Sequence, residues 1–242
     1  MTGVLTLYRT SVGKKVIMAL SGFVLVGFVL FHMYGNLKMY QGPEAFNTYA
    51  AGLREIGYPI FGHAHLLWVA RLGLIAAVVL HIWAATSLTI QSRKSTTANA
   101  VSGIRRYGEQ KRQTSYAAYT MRYGGLLILL FIIYHLLHLT FGVVGYDAGQ
   151  YQHPENGEYF VYNNVVYGFQ NPLIVGFYLI TMIFLGLHLF HGVWSMFQTL
   201  GLNNANYTGL LRGLAILIAT VVVLGNLSFP IAVFVGLVGP AV

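Results

Sequence analysis

Residues 172–199 read PLIVGFYLITMIFLGLHLFHGVWSMFQT, a run without Asp, Glu, Lys or Arg but with histidines at 188 and 191. About 20 apolar residues suffice to cross a bilayer core of roughly 30 Å. The run therefore predicts a membrane-spanning helix, opened by Pro172 at a first-turn position that suits proline. Four further stretches of the same character flank it. The five predicted spans cover approximately residues 15–37, 64–92, 123–144, 172–199 and 210–237. In the last, Asn226 and Pro230 are expected to interrupt the outer half.

Composition gives the same answer. Of the 242 residues 56% are hydrophobic and 8% charged, against roughly 25% charged in a soluble domain. Such a chain cannot cover a globular surface, and the expected class is an all-α integral membrane protein, residues 1–242 forming one membrane-anchor domain. The connections leave no room for a catalytic domain, so soluble chemistry would fall to partners. No repeat of fixed period is visible, and the N-terminus is not expected to be a cleavable signal, because no small-residue cleavage pattern follows a short apolar core.

The net charge of +8 has a topological cause, with no nucleic acid required. Arg9, Lys14, Lys15, Arg93, Lys94, Arg105, Arg106, Lys111, Arg112, Arg122 and Arg212 fall on one side of the predicted membrane, and Lys38 and Arg54 on the other. Basic residues collect in cytoplasmic connections, which predicts a cytoplasmic N-terminus, an outer C-terminus and a multi-pass protein of the cell inner (cytoplasmic) membrane. Cysteine is absent, which excludes thiolate metal sites on this chain.

The strong metal ligands left inside the spans are histidines: His32, His81, His135 with His138, and His188 with His191. A single buried histidine usually means a hydrogen bond to a neighbouring helix. Four helices that each supply one suggest opposed pairs, as in axial ligation of haem iron. At 1.5 Å per residue, His32 lies ~25 Å above Lys15, and His135 and His138 ~20 and ~24 Å above Arg122. His81 lies ~18 Å above Arg93, and His188 and His191 ~20 and ~15 Å above Gly201. Depth thus groups His32 with the helix-three doublet and His81 with the helix-four doublet, without choosing within either doublet. Gly22, Gly27, Gly124, Gly125, Gly186 and Gly192 either admit a flat macrocycle or simply allow close helix packing. Arg71, the one charge set well into a span, either neutralises a haem propionate or snorkels to the interface.

Five segments carry a resemblance. They are Ser11-Val12-Gly13-Lys14-Lys15, His32-Met33-Tyr34-Gly35-Asn36 and Gln41-Gly42-Pro43-Glu44-Ala45-Phe46-Asn47. Downstream come Tyr134-His135-Leu136-Leu137-His138-Leu139-Thr140-Phe141 and His188-Leu189-Phe190-His191-Gly192-Val193-Trp194. In order and position, over most of the chain, they resemble the single-polypeptide cytochrome b membrane anchor of succinate dehydrogenases and menaquinone-linked fumarate reductases. The resemblance implies a five-helix anchor whose first four helices form a haem-binding bundle. It implies two b haems, the outer ligated by His32 and His135 and the inner by His81 and His188, with His138 and His191 nearby. It also implies a flavoprotein, an iron–sulfur protein docked on the inner face near Arg105, Arg106, Lys111 and Arg112, and a quinone such as menaquinone. Glu44 and Glu55 occupy the region where some relatives bind quinone at the outer side. Lys15 and Ser21 mark the inner alternative. The rivals are a haem-free anchor or transporter with structural histidines, and a cytochrome b anchor for another dehydrogenase.

Overall fold

The computed structural model describes residues 4–101 and 114–241; the basic cluster Arg105, Arg106, Lys111 and Arg112 lies outside the described residues. The described residues are all-helical. Its helices are α1 (Ser11–Asn36), α2 (Pro43–Glu55), α3 (His65–Val101), α4 (Thr114–His135), α5 (Val161–Gly168), α6 (Pro172–Thr199) and α7 (Thr208–Phe234). Among the described residues, five segments are long and apolar enough to span a bilayer: Ser11–Gln41, His65–Lys94, Thr120–Thr140, Pro172–Thr199 and Thr208–Phe234. The protein is a multi-pass membrane protein. Its outward side chains agree: Phe31 is 76% exposed and Leu173 82% exposed, a surface that only lipid covers without penalty.

Local chemistry sets the helix starts. The Thr10 side chain accepts a hydrogen bond from the Gly13 amide and caps α1, while Asn171 does the same for Leu173 ahead of Pro172 in α6. These side chains satisfy amides that have no partner inside their helix. α3 spans 37 residues, about 55 Å at the helical rise, so it runs on past the bilayer and carries Arg93 and Lys94 beyond the hydrocarbon.

α6 is the axis of the bundle. Its buried residues Ile174, Tyr178, Thr181, Met182, Gly186, Leu189, Val193 and Met196 recur at helical spacing. α1, α4 and α7 pack along it, α1 also meets α7, and α3 packs along α1. A Cβ on Gly186 would run into Val223 of α7, so this glycine serves close helix packing.

The structure refines or corrects the sequence reading at three places. First, the connection after the first span is ordered: Gly42, at φ 97°, leads into α2, an amphipathic helix that buries Phe46 and Ala50. Asn47 Oδ1 accepts from the Tyr162 amide at 3.1 Å and joins α2 to α5, a helix also absent from the sequence reading. Second, α7 continues through Asn226 and Pro230. The Asn226 side chain donates to the Val222 carbonyl, and Ser228 donates to that of Gly225; such side-chain bonds let membrane helices tolerate proline. Third, α4 stops at His135 and gives way to a π-helical turn, Leu136–Thr140, that ends before Gly142 at φ 64°.

Candidate functional site

Polar rings meet at two levels of the bundle. His32 of α1 faces His135 of α4, with ring centroids 5.9 Å apart and planes at 86°. His81 of α3 faces His188 of α6, with centroids 6.2 Å apart and planes at 64°. The helices in each pair are not closely packed against one another among the described residues; α1 packs on α3 and α6, and α4 on α6. The rings therefore meet across gaps between helices.

Three helices give the same vertical spacing between the levels. The His81 ring lies against Gly22 and the His188 ring against Gly125, with a Cβ at either position coming 3.4 and 3.7 Å from a ring carbon. Tyr178 contacts His135. His32 is ten residues beyond Gly22, His135 ten beyond Gly125, and Tyr178 ten before His188. Each interval corresponds to about 15 Å. On α3, Arg71 precedes His81 by the same ten residues, which puts it near the level of the outer pair, where its guanidinium lies over the Trp68 ring at 4.9 Å.

The geometry fits axial ligation. Two imidazoles on opposite sides of one iron place their centroids about 6 Å apart, from roughly 2 Å per nitrogen–metal bond and about 1 Å from nitrogen to ring centre. His81, His135 and His188 are half-buried and His32 is exposed within apolar spans, where an uncovered polar ring is costly. His188 Nδ1 is buried without a hydrogen-bond partner. Around His81 the partner is Ser21, whose Oγ lies 3.3 Å from Nδ1.

No known protein family, curated protein or solved structure matches this chain.

The remaining candidates are dispersed. His138 is fully buried and bonded through Nδ1 to the Tyr178 hydroxyl at 2.9 Å, an arrangement that depth counting missed because it depends on helix rotation. His191 lies beside Phe190. Glu55 is paired with His63 at 2.8 Å on the surface, and Glu44 lines a shallow open groove with Lys38, Gln41 and Tyr49. Lys15 is exposed near the start of α1, nearly two turns before Ser21. Of the six glycines, Gly22 and Gly125 border the inner histidines, Gly124 faces Phe184 and Gly186 serves packing, whereas Gly27 and Gly192 have open space. Beyond the outer pair, burial pushes the Tyr146 hydroxyl well above the ordinary tyrosine value, and that hydroxyl donates to the Asn164 carbonyl at 2.9 Å. Among the described residues no group of three or more His, Cys, Asp or Glu gathers; an axial pair needs only two protein ligands.

Proposed function

We propose that this chain is the membrane-anchor cytochrome b subunit of a succinate:quinone oxidoreductase, binding two b haems and a quinone and carrying electrons between an iron–sulfur partner and the quinone pool. The observation that carries the reading is the pair of opposed histidine couples, His32 with His135 and His81 with His188, at one repeated ten-residue interval. The five sequence segments that resemble the succinate dehydrogenase and fumarate reductase anchors favour that chemistry over another dehydrogenase.

In this reading His32 and His135 hold the outer haem, and His81 and His188 the inner one. Bound haem supplies reversible one-electron exchange at its iron. The chain's own residues bind and orient it. Gly22 and Gly125 keep side-chain bulk away from the inner rings. Ser21 donates its single proton to the Ile17 carbonyl at 2.7 Å, so toward His81 Nδ1 its oxygen acts as acceptor. His81 then carries its proton on Nδ1 and keeps the Nε2 lone pair for a metal. Arg71 is placed to balance a propionate of the outer haem, and the apolar helix faces exclude water.

Succinate oxidation belongs to a flavoprotein and an iron–sulfur protein on the cytoplasmic side, where the basic connections also put the N-terminus. Quinone reduction takes up protons, and the described spans hold no Asp or Glu. The acids on offer are Glu44 and Glu55 at the outer end, with Lys15 and Ser21 as the inner alternative.

The test is a reduced-minus-oxidised spectrum with a pyridine haemochrome assay on the natively assembled protein. Two b haems per chain are expected. Absence of haem from an intact assembly would overturn the reading.

A further inference from the structure

We propose that Tyr178 is a positioning residue for the outer histidine pair, its hydroxyl joining His138 and His135 in a one-way hydrogen-bond chain that keeps the proton of His135 on Nδ1. The inference rests on the reading of His32 and His135 as a ligand couple. It adds the residue that sets the protonation form of one of them.

The geometry is specific. The Tyr178 hydroxyl lies 2.9 Å from His138 Nδ1 and 3.3 Å from His135 Nδ1. Tyr178 is 5% exposed and His138 0%, so neither can turn to solvent. A phenol has one proton to give and lone pairs that accept. It can therefore donate to one imidazole and accept from the other, and two directions exist.

The far side of His138 selects between them. Its Nε2 lies against Gly168, where a Cβ would come 2.7 Å from that nitrogen and 2.8 Å from the Tyr146 oxygen. Tyr146 has already given its proton to the Asn164 carbonyl, and the polar group that Gly168 offers to the ring is its backbone. The groups beside Nε2 that can answer the ring, the Gly168 backbone and the Tyr146 oxygen, are acceptors, although no hydrogen bond of standard geometry closes there and the Gly145 backbone also borders the ring. An unprotonated Nε2 would set lone pair against lone pair in a buried place, at the cost of an unsatisfied polar atom. Nε2 of His138 therefore carries the proton, its Nδ1 accepts from Tyr178, and Tyr178 accepts from Nδ1–H of His135. That leaves the Nε2 lone pair of His135 free, as a metal-bound imidazole requires. The inner couple repeats the device with Ser21 and His81.

Two readouts test the chain. In native protein labelled with ¹⁵N-histidine and reconstituted in bilayers, site-assigned solid-state NMR should find His135 protonated on Nδ1 and His138 on Nε2. The reverse assignment overturns the proposal, and this measurement needs neither a variant nor bound haem. In haem-loaded complex, Tyr178→Phe should shift the one-electron reduction equilibrium of the outer component about tenfold, or about 59 mV, and leave the inner component in place. A folded Tyr178→Phe complex with both components unchanged overturns it too. Haem-free wild-type protein would instead defeat the reading of the couple as ligands, while the NMR result still decides the hydrogen-bond chain.

Discussion

Imidazole in hydrocarbon needs a partner for each ring nitrogen, and at each level of this bundle one histidine is held by a hydroxyl while its opposite is not. His81 has Ser21 and His135 has Tyr178; His188 keeps a buried Nδ1 with no partner. Because the two couples come from different pairs of helices, they should fail independently. His81→Ala is expected to halve the haem-to-chain ratio and remove one spectral component while the other persists. Loss of both components from a stable, assembled His81→Ala protein would contradict the pairing. Which helices bring histidines to one level was legible in the sequence because helical rise is fixed, so residue counting gives depth. Choosing His135 over His138 was not, since both lie on nearly one face and rotation decides which ring meets α1. Tyr178 was hidden for the same reason: its sequence neighbours say nothing about a bond to a residue 43 positions away.

At the scale of elements, spans were readable and connections were not. A span announces itself by unbroken hydrophobicity. α2 carries only two buried residues, Phe46 and Ala50, on an otherwise half-wet surface, and its sequence passes for a polar loop. The end of α4 was overrun because Leu136–Thr140 stays apolar and helical while changing from α to π geometry. Gly22 and Gly186 separate the two uses of small residues in these helices. At Gly22 a Cβ would already stand 3.4 Å from the His81 ring. Gly22→Leu should therefore displace that ring and lower occupancy of the inner site alone, read as a haem-to-chain ratio approaching one. At Gly186 the added bulk meets Val223 of α7 instead. Gly186→Leu should cost about 1–3 kcal/mol by overpacking, seen as a lower Tm in detergent, with both spectral components kept in the material that assembles. If the two variants gave the same spectrum, the glycine at 22 would be a packing residue like that at 186.

For the whole molecule, the question is which side of the membrane each end of the bundle faces. Among the described basic residues, Arg9, Lys14, Lys15, Arg93, Lys94, Arg122 and Arg212 lie toward one end of the spans, and Lys38 and Arg54 toward the other. The connection between α4 and α6 carries Asp147, Glu155 and Glu158 and no Lys or Arg. Positive charge is retained in the cytoplasm during insertion, so the proposed topology turns the former end inward. The chain has no cysteine, which makes the test clean, because any single introduced thiol is the sole target. Leu202→Cys, in the exposed turn between α6 and α7, should resist a membrane-impermeant maleimide in intact cells. Asn156→Cys, at an exposed turn with φ 50°, should react. The opposite pattern would move the inner couple, His81 with His188, to the outer side. A cytoplasmic iron–sulfur partner would then approach the wrong couple, and the proposed electron path would lose its entry. Gentle detergent extraction bears on the same point, since in the proposed function the electrons reach these spans from another polypeptide. A flavoprotein and an iron–sulfur protein should copurify with it and be released together when the cytoplasmic face is stripped. A fully active transporter recovered as this chain alone would defeat the assignment, because transport needs no partner and a cytochrome anchor is useless without one.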